Sequence, residues 1–219
     1  MFLETKNLTK KFLRGNKELV AVNNLSIGIE QGAFAAVVGH SGSGKSTLFS
    51  MISGLSRPTS GEIFIDGLSI NEMSRDQLAE FRRSTLSYVL QGQSLLGNFS
   101  IIDNICMPAY LGKHSDGCAG RALKLLDAFG LGGIENEFPS SLSGGEQRRV
   151  SIIRSLITSP KIIVADEPTS SLDLENTELI MQLFRQISQK GTTVLISTHD
   201  VNFLDYTDSV YKMSNGILL

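Results

Sequence analysis

The residues Gly39-His40-Ser41-Gly42-Ser43-Gly44-Lys45-Ser46 satisfy the pattern G-x-x-x-x-G-K-[ST] at every fixed position. Glycine without a Cβ lets the backbone curl until successive N–H groups point into one concave anion nest. Lys45 adds a charge near the β- and γ-phosphates, and the Ser46 hydroxyl can ligate Mg²⁺. Gly39, Ser41, Gly42, Ser43, Gly44, Lys45, Ser46 and Thr47 are therefore candidates for gripping a nucleoside triphosphate. A second group, Ile162-Ile163-Val164-Ala165-Asp166-Glu167, is four apolar residues followed by two acids. A buried strand ending this way places carboxylates at the carboxyl edge of a parallel sheet, where ligands bind. Asp166 is then a candidate to hold the metal, and Glu167 to polarise an attacking water.

These groups need elements to position them. Residues 33–38 read as a buried strand and 46–52 as a helix start, so the loop sits where a helix's positive end faces the phosphates. Residues 2–8, 20–30 and 61–66 read as short strands of an antiparallel sheet near the nucleotide site, with Asn23-Asn24 and Asp66-Gly67 as turn signals. Residues 74–83 form an amphipathic helix, and 86–90 a strand ending at Gln91. Residues 101–111 are apolar, with Pro108 expected to end or bend a helix there. Helical stripes follow over 121–129 and 146–157. The order strand 162–166, helix 175–189, strand 193–197 predicts a parallel sheet with right-handed crossovers. Residues 112–120 are expected to form a flexible surface loop that includes His114. His40 occupies a variable position of the glycine-rich loop and is assigned no chemistry.

The composition sets bounds on partners. The chain has 219 residues, 41% hydrophobic and 19% charged, which suits one globular core divided into lobes. A net charge of −2 gives no basis for a nucleic-acid partner, because phosphate backbones call for a basic face. Two cysteines, Cys106 and Cys118, read as free thiols in a reducing compartment. No stretch reaches ~18 uninterrupted apolar residues, and the first residues lack a basic-then-apolar export signal. A cytosolic chain is expected, with any membrane role supplied by a partner.

Leu142-Ser143-Gly144-Gly145-Glu146-Gln147 precedes a helix: Ser143 is a plausible N-cap, and two glycines allow close backbone approach to an anion. This string resembles the signature sequence of the ATP-binding-cassette (ABC) ATPases, and the likeness extends from Phe12 to His199. The resemblance implies a P-loop (RecA-like) α/β fold: a parallel-sheet core with an N-terminal antiparallel β-subdomain over 1–92 and 159–219, and an inserted helical subdomain over 93–158. It implies that Gln91 reaches Mg²⁺ and the attacking water, and that His199 contacts the γ-phosphate. Ser170-Ser171-Leu172-Asp173 matches the D-loop, which crosses a dimer interface. Phe12 matches the aromatic that stacks on adenine, keeping the ring and lacking the tyrosine hydroxyl often found there. It further implies a head-to-tail pair of chains, each ATP lying between the P-loop of one copy and Ser143, Gly144, Gly145, Gln147 and Asp173 of the other.

The runs Gly39–Leu48 and Ser53–Gly61, Arg82-Arg83, and the stretch from Gln91 through Ser94-Leu95-Leu96 to Asp103-Asn104-Ile105 and Pro108 are similar to one branch. That branch holds the lipoprotein-release, macrolide-export and cell-division ATPases. It implies a peripheral subunit on the cytoplasmic face of the inner membrane, driving an integral membrane permease subunit that docks near residues 91–111. Ser170-Ser171 departs from the Gly-Asn or Gly-Ala usual there, and Gln91-Gly92-Gln93 is also unusual. Two other readings use the same residues: an amino-acid-type importer ATPase, and a switch that binds ATP and closes without turnover.

Overall fold

The computed structural model describes residues 1–15, 17–92, 94–112 and 115–219. β1 (Leu3–Arg14) and β2 (Lys17–Leu25) form an antiparallel hairpin, and β3 (Gly28–Ile29) pairs back on β1. The buried strand β4 (Phe34–Val38) leads through the glycine-rich loop into α1 (Lys45–Ile52). β5 (Ser60–Ile65) and β6 (Leu68–Ser69) return to the antiparallel sheet, turning at Asp66-Gly67, both at positive φ as the sequence signalled. Next come α2 (Arg75–Ser84) and β7 (Leu86–Val89), then three helices: α3 (Ile101–Leu111), α4 (Cys118–Ala128) and α5 (Gly144–Leu156). The chain closes with β8 (Ile162–Ala165), α6 (Leu174–Gln189), β9 (Thr193–Thr198), β10 (Ser209–Ser214) and β11 (Ile217–Leu218).

The larger sheet has the order β11-β10-β4-β9-β8-β7, with every neighbouring pair parallel except β10–β11. β4, β8 and β9 are buried along their whole length, which is why β4 and β8 read as unbroken apolar runs and β9 has Val194, Leu195 and Ile196 at its centre. Their side chains still alternate. Ala35, Val37, Ile162, Val164 and Leu195 face a core shared with α1 and the antiparallel sheet. Phe34, Ala36, Ile163, Val194 and Ile196 face the other way, onto Ile180, Phe184 and Ile187 of α6. Phe34 and Phe184 meet there as tilted rings 6.1 Å apart. A third core joins α3, α4 and α5 through Ile105, Leu126, Val150 and Ile153, among others. Both cysteines are free and buried in this core.

Several local expectations are corrected. Asn23-Asn24 lies inside β2, not between strands; Asn24 takes φ 52° where the β1–β2 register shifts, as a bulge does. Residues 118–120, expected in a loop, open α4, while His114 lies outside the described residues, as does Gln93 of the unusual Gln91-Gly92-Gln93 run. Pro108 does not end α3, which runs three residues further to Leu111. The C-terminal hairpin β10–β11 was not anticipated; its turn residues Asn215 and Gly216 both have positive φ.

Asn104 is fully buried on α3 and holds the chain that leads into that helix. Its Oδ1 accepts from the Leu96 N–H (2.7 Å), and its Nδ2 donates to the carbonyls of Leu96, Phe99 and Ser100 (3.0 Å each). Truncation would strand these backbone groups away from water. Asn104→Ala is expected to lower the unfolding free energy by about 2–4 kcal/mol in urea denaturation. A loss below about 0.5 kcal/mol, the range of ordinary surface substitutions, would contradict the clamp.

Candidate active site

The glycine-rich loop is built around positions that exclude a side chain. A Cβ on Gly39 would lie 2.2 Å from the Met213 carbonyl, and one on Gly44 2.3 Å from that of Ala21. Gly42 and Gly44 also take φ of 80° and 106°. α2, α3, α5 and α6 each have a side-chain N-cap, from Ser74, Ser100, Ser143 and Asp173. α1 begins on Gly44 with no side-chain cap, so its first N–H groups have no side-chain partner and its positive end opens on the loop. The Ser43 hydroxyl is buried in the loop without a hydrogen-bond partner. An anion fits this cradle on all three counts.

Lys45 is 5% exposed, and its Nζ donates to the carbonyls of Gly39 (2.6 Å) and His40 (3.2 Å). It also lies 3.1 Å from Glu167 Oε1, while His199 Nδ1 lies 2.9 Å from Glu167 Oε2. The Glu167 carboxylate is thus clasped between an ammonium and an imidazole. Its backbone has φ 47°, a left-handed conformation that costs a non-glycine residue about 1–3 kcal/mol. The flanking groups hold it there. The Glu167 N–H donates to Ser197 Oγ (2.8 Å), and the Ser170 hydroxyl donates to the Glu167 carbonyl (3.0 Å). Asp166, also buried, accepts from the Ser197 hydroxyl on Oδ1 (2.5 Å) and faces the Tyr88 hydroxyl on Oδ2 (3.5 Å). Burial, and then the neighbouring Asp166 carboxylate, push the Tyr88 hydroxyl well above its ordinary value, so it stays a donor.

A cleft of about 650 Å³ gathers most of these groups. It is lined by Ser41, Gly42, Gly44, Lys45, Ser46 and Thr47 of the loop and α1, by Gln91, Glu167 and His199, and by Phe12. Ser43 and Asp166 are buried and do not line it, and His40 turns its ring to the Ser41 carbonyl (2.8 Å). Phe12 is 43% exposed on β1, opposite Leu19 in register, with Lys10 Nζ 5.1 Å from its ring centre. Sequence reasoning missed Asn215 and Gly216, which also line the cleft. Gly216 donates to the Ser43 carbonyl (2.9 Å) and accepts from the Asn23 N–H (2.8 Å), so this turn ties the loop to β2. The Asn-Gly pair, a strong short-range hairpin signal, was the available clue.

Residues 142–147 do not line this cleft. Ser143 caps α5 in a reciprocal box with Glu146: the Ser143 N–H and hydroxyl both donate to Glu146 Oε2 (2.8 and 2.7 Å), which holds that carboxyl below its ordinary pKa. A Cβ on Gly145 would strike the Asn176 amide at 2.3 Å, whereas Gly144 meets nothing. Gln147 donates its amide to the Pro139 and Leu142 carbonyls (2.9 and 3.1 Å), shaping the turn before the helix. Asp173 caps α6 by accepting from the Asn176 N–H and side chain (2.8 Å each), so α5 and α6 start beside each other. The segment on either side of Gln91 is fastened to α5 by two arginines. Arg148 donates to the Leu90 carbonyl (2.9 Å), and Arg154 to the Ser94 carbonyl and hydroxyl (2.9 and 2.8 Å).

Comparison with known proteins agrees with this geometry. The family model described as ABC transporter matches residues 22–170. The macrolide export ATP-binding/permease protein MacB of Mannheimia succiniciproducens is 38% identical over 218 residues, or 99% of this chain; the chain spans only 34% of that relative's length. The lipoprotein-releasing system ATP-binding protein LolD of Buchnera aphidicola subsp. Schizaphis graminum is 38% identical over 220 residues, covering 100% of this chain and 96% of the relative. Among solved structures, the dimeric bacterial ABC transporter cassette MJ0796 superposes with a TM-score of 0.90 at 34% identity, over 99% of this chain and 96% of that one. Its post-hydrolysis dimer bound to ADP and Pi superposes at 0.88. With most of its length matched by the family model and near-complete coverage by relatives above 30% identity, the chain belongs to the ABC transporter family.

Proposed function

We propose that the chain is the ATP-hydrolysing, nucleotide-binding subunit of a membrane ABC transporter or mechanotransmission complex of the lipoprotein-release and macrolide-export type. The observation that carries this reading is the Glu167 carboxylate, held in the cleft between Lys45 and His199 and one residue after the buried Asp166. In the reading, Glu167 orients the attacking water and takes its proton. Lys45 and His199 stabilise charge on the γ-phosphate, and the loop N–H groups hold the β-phosphate. Phe12 offers its ring to the adenine. A switch that closes without turnover would not need Glu167 and His199 brought together in this way.

Mg²⁺ suits the donors present. Among the described residues no cluster of three or more His, Cys, Asp or Glu side chains forms a self-sufficient metal cage. Mg²⁺ is characteristically held by one or two protein oxygens together with phosphate and water. Ser46, Gln91 and Asp166 are the residues that would hold it, and it would neutralise phosphate charge.

In the reading two copies complete each other's sites, and the similarity to a cassette that is itself dimeric supports the pairing. Ser143, Gly144, Gly145, Gln147 and Asp173 lie outside the chain's own nucleotide cleft, so in the reading they serve the ATP of the second copy. Gln147 and Asp173 act there by shaping the starts of α5 and α6. Among the described residues no helix is long and apolar enough to cross a membrane. The chain is then peripheral, on the cytoplasmic face, with a permease subunit docking near residues 91–111. Leu96, Phe99, Tyr110 and Leu111 are exposed in that stretch, while Ile101, Ile105, Cys106 and Ala109 turn into the helical core.

Glu167→Gln keeps the side chain's shape and removes the base. It is expected to bind ATP within about threefold of wild type, to lose about 10²–10⁴-fold in phosphate release and to accumulate as an ATP-bound dimer on gel filtration. Turnover near the wild-type rate would remove Glu167 from the mechanism.

Phe12→Ala deletes the stacking face, and the KM for ATP should rise roughly 5-fold or more with kcat at saturation unchanged. Phe12→Tyr should restore the wild-type KM. An alanine variant with unaltered KM would place the base elsewhere.

A further inference from the structure

We propose that Ser197 is a positioning residue for hydrolysis: its buried hydroxyl couples the Asp166 carboxylate to the Glu167 backbone and so sets where both acids point. The inference rests on the functional reading above, and deepens it at a residue that the motifs do not include. Ser197 lies next to the last strand position of β9, with no exposed surface, in a run that otherwise reads as apolar. The register pairs Ala165 with Ile196, so the following residue on β9 stands beside Asp166 and Glu167, where β8 ends.

The hydroxyl has only one arrangement that satisfies its neighbours. The Glu167 N–H donates to Ser197 Oγ at 2.8 Å, so that lone pair is taken. The serine proton then goes to Asp166 Oδ1, at 2.5 Å. Two consequences follow. Asp166 has one oxygen fixed, and the other is left for the Tyr88 hydroxyl at 3.5 Å and for a metal. Glu167, meanwhile, is anchored through its N–H while its backbone sits at φ 47°, a conformation that the chain would otherwise leave. The last residue of β9 and the one after it act on the same spot: the Thr198 carbonyl accepts from the Gly39 N–H (3.2 Å), and His199 reaches the Glu167 carboxylate. One strand end thus aligns the glycine-rich loop, the metal-side acid and the water-side acid, and Ser197 is the link to the two acids.

Valine and threonine add the same branch at this position and differ in the hydroxyl, so comparing them separates the hydrogen bonds from packing. The assay is phosphate release by the full-length chain with ATP and Mg²⁺ varied separately, alongside binding of a fluorescent ATP analogue. Ser197→Val is expected to lose about tenfold or more in kcat, because small displacements of positioned groups carry large rate penalties. Its KM for ATP should stay within about twofold, and half-saturation by Mg²⁺ should move to higher concentration. Ser197→Thr should retain wild-type kcat and Mg²⁺ dependence. If the valine chain lacks a cooperative thermal transition, Ser197→Ala takes its place against threonine. Equal kcat in the valine (or alanine) and threonine variants would overturn the proposal, as would a loss confined to nucleotide affinity. A wild-type chain that binds ATP yet releases no phosphate, alone or with its membrane partner, overturns the functional reading and this inference with it.

Discussion

A buried ion pair is the constraint around which the molecule is organised. Lys45 and Glu167 are 5% and 7% exposed and stand 3.1 Å apart. Removing two charges from water is unfavourable, and only close geometry with further hydrogen bonds compensates. Both conditions are met: Lys45 has the Gly39 and His40 carbonyls, and Glu167 has His199. For the pair to meet, the strand before the glycine-rich loop and the strand before Asp166 must end at the same edge of one sheet. Parallel pairing of β4, β9 and β8 does this, and buries all three strands to do so. The apolar composition of those strands and the charge cluster at their ends are two parts of one arrangement.

The same edge carries the connection to the helical lobe. Gln91 follows β7, the outermost strand on that side, and the residues around it are held by Arg148 and Arg154 of α5. Arg148 is buried and Arg154 partly so, and burial lowers the pKa of each guanidinium. Their hydrogen bonds go to a backbone carbonyl in one case and to a carbonyl and a hydroxyl in the other. A guanidinium with several donors in a rigid fork suits this task, because it can grip an irregular segment from a helix face. A shift of Gln91 at the cleft wall therefore bears directly on the helix that Ser143 caps.

Legibility in the sequence followed contiguity. The glycine-rich loop, the strand ending in Asp166-Glu167 and the serine-capped start of α5 each concentrate their chemistry in a few adjacent residues, and each folds as its pattern predicts. Boundaries of the long helices held to within a few residues, since caps such as Ser74 and Asp173 mark them. Features built from distant residues were not legible. Ser197 reads as one polar residue in an apolar strand, and its partners lie 30 and 31 positions away. The β10–β11 hairpin is short and largely exposed, so its Asn-Gly turn had no strong flanking pattern to support it. Pro108 does not end α3 because a single missing donor does not break a helix whose other turns are held by core packing and whose start is clamped by Asn104.

In the proposed function, the placement of residues 142–147 outside the cleft is the reason a second copy is needed. Ser143, Glu146 and the first turn of α5 satisfy each other through the capping box, while Gly144 presents open backbone with nothing against it. α6 begins alongside through Asp173 and Asn176, and Gly145 is fixed by contact with Asn176. Two helix N-termini thus start side by side, outside the lining of the cleft that holds Lys45 and Glu167. Neighbouring helix N-termini outside the chain's own cleft are suited to an anion brought by another molecule. In the head-to-tail pair of the proposed function, that anion would be the triphosphate gripped by the second copy's glycine-rich loop.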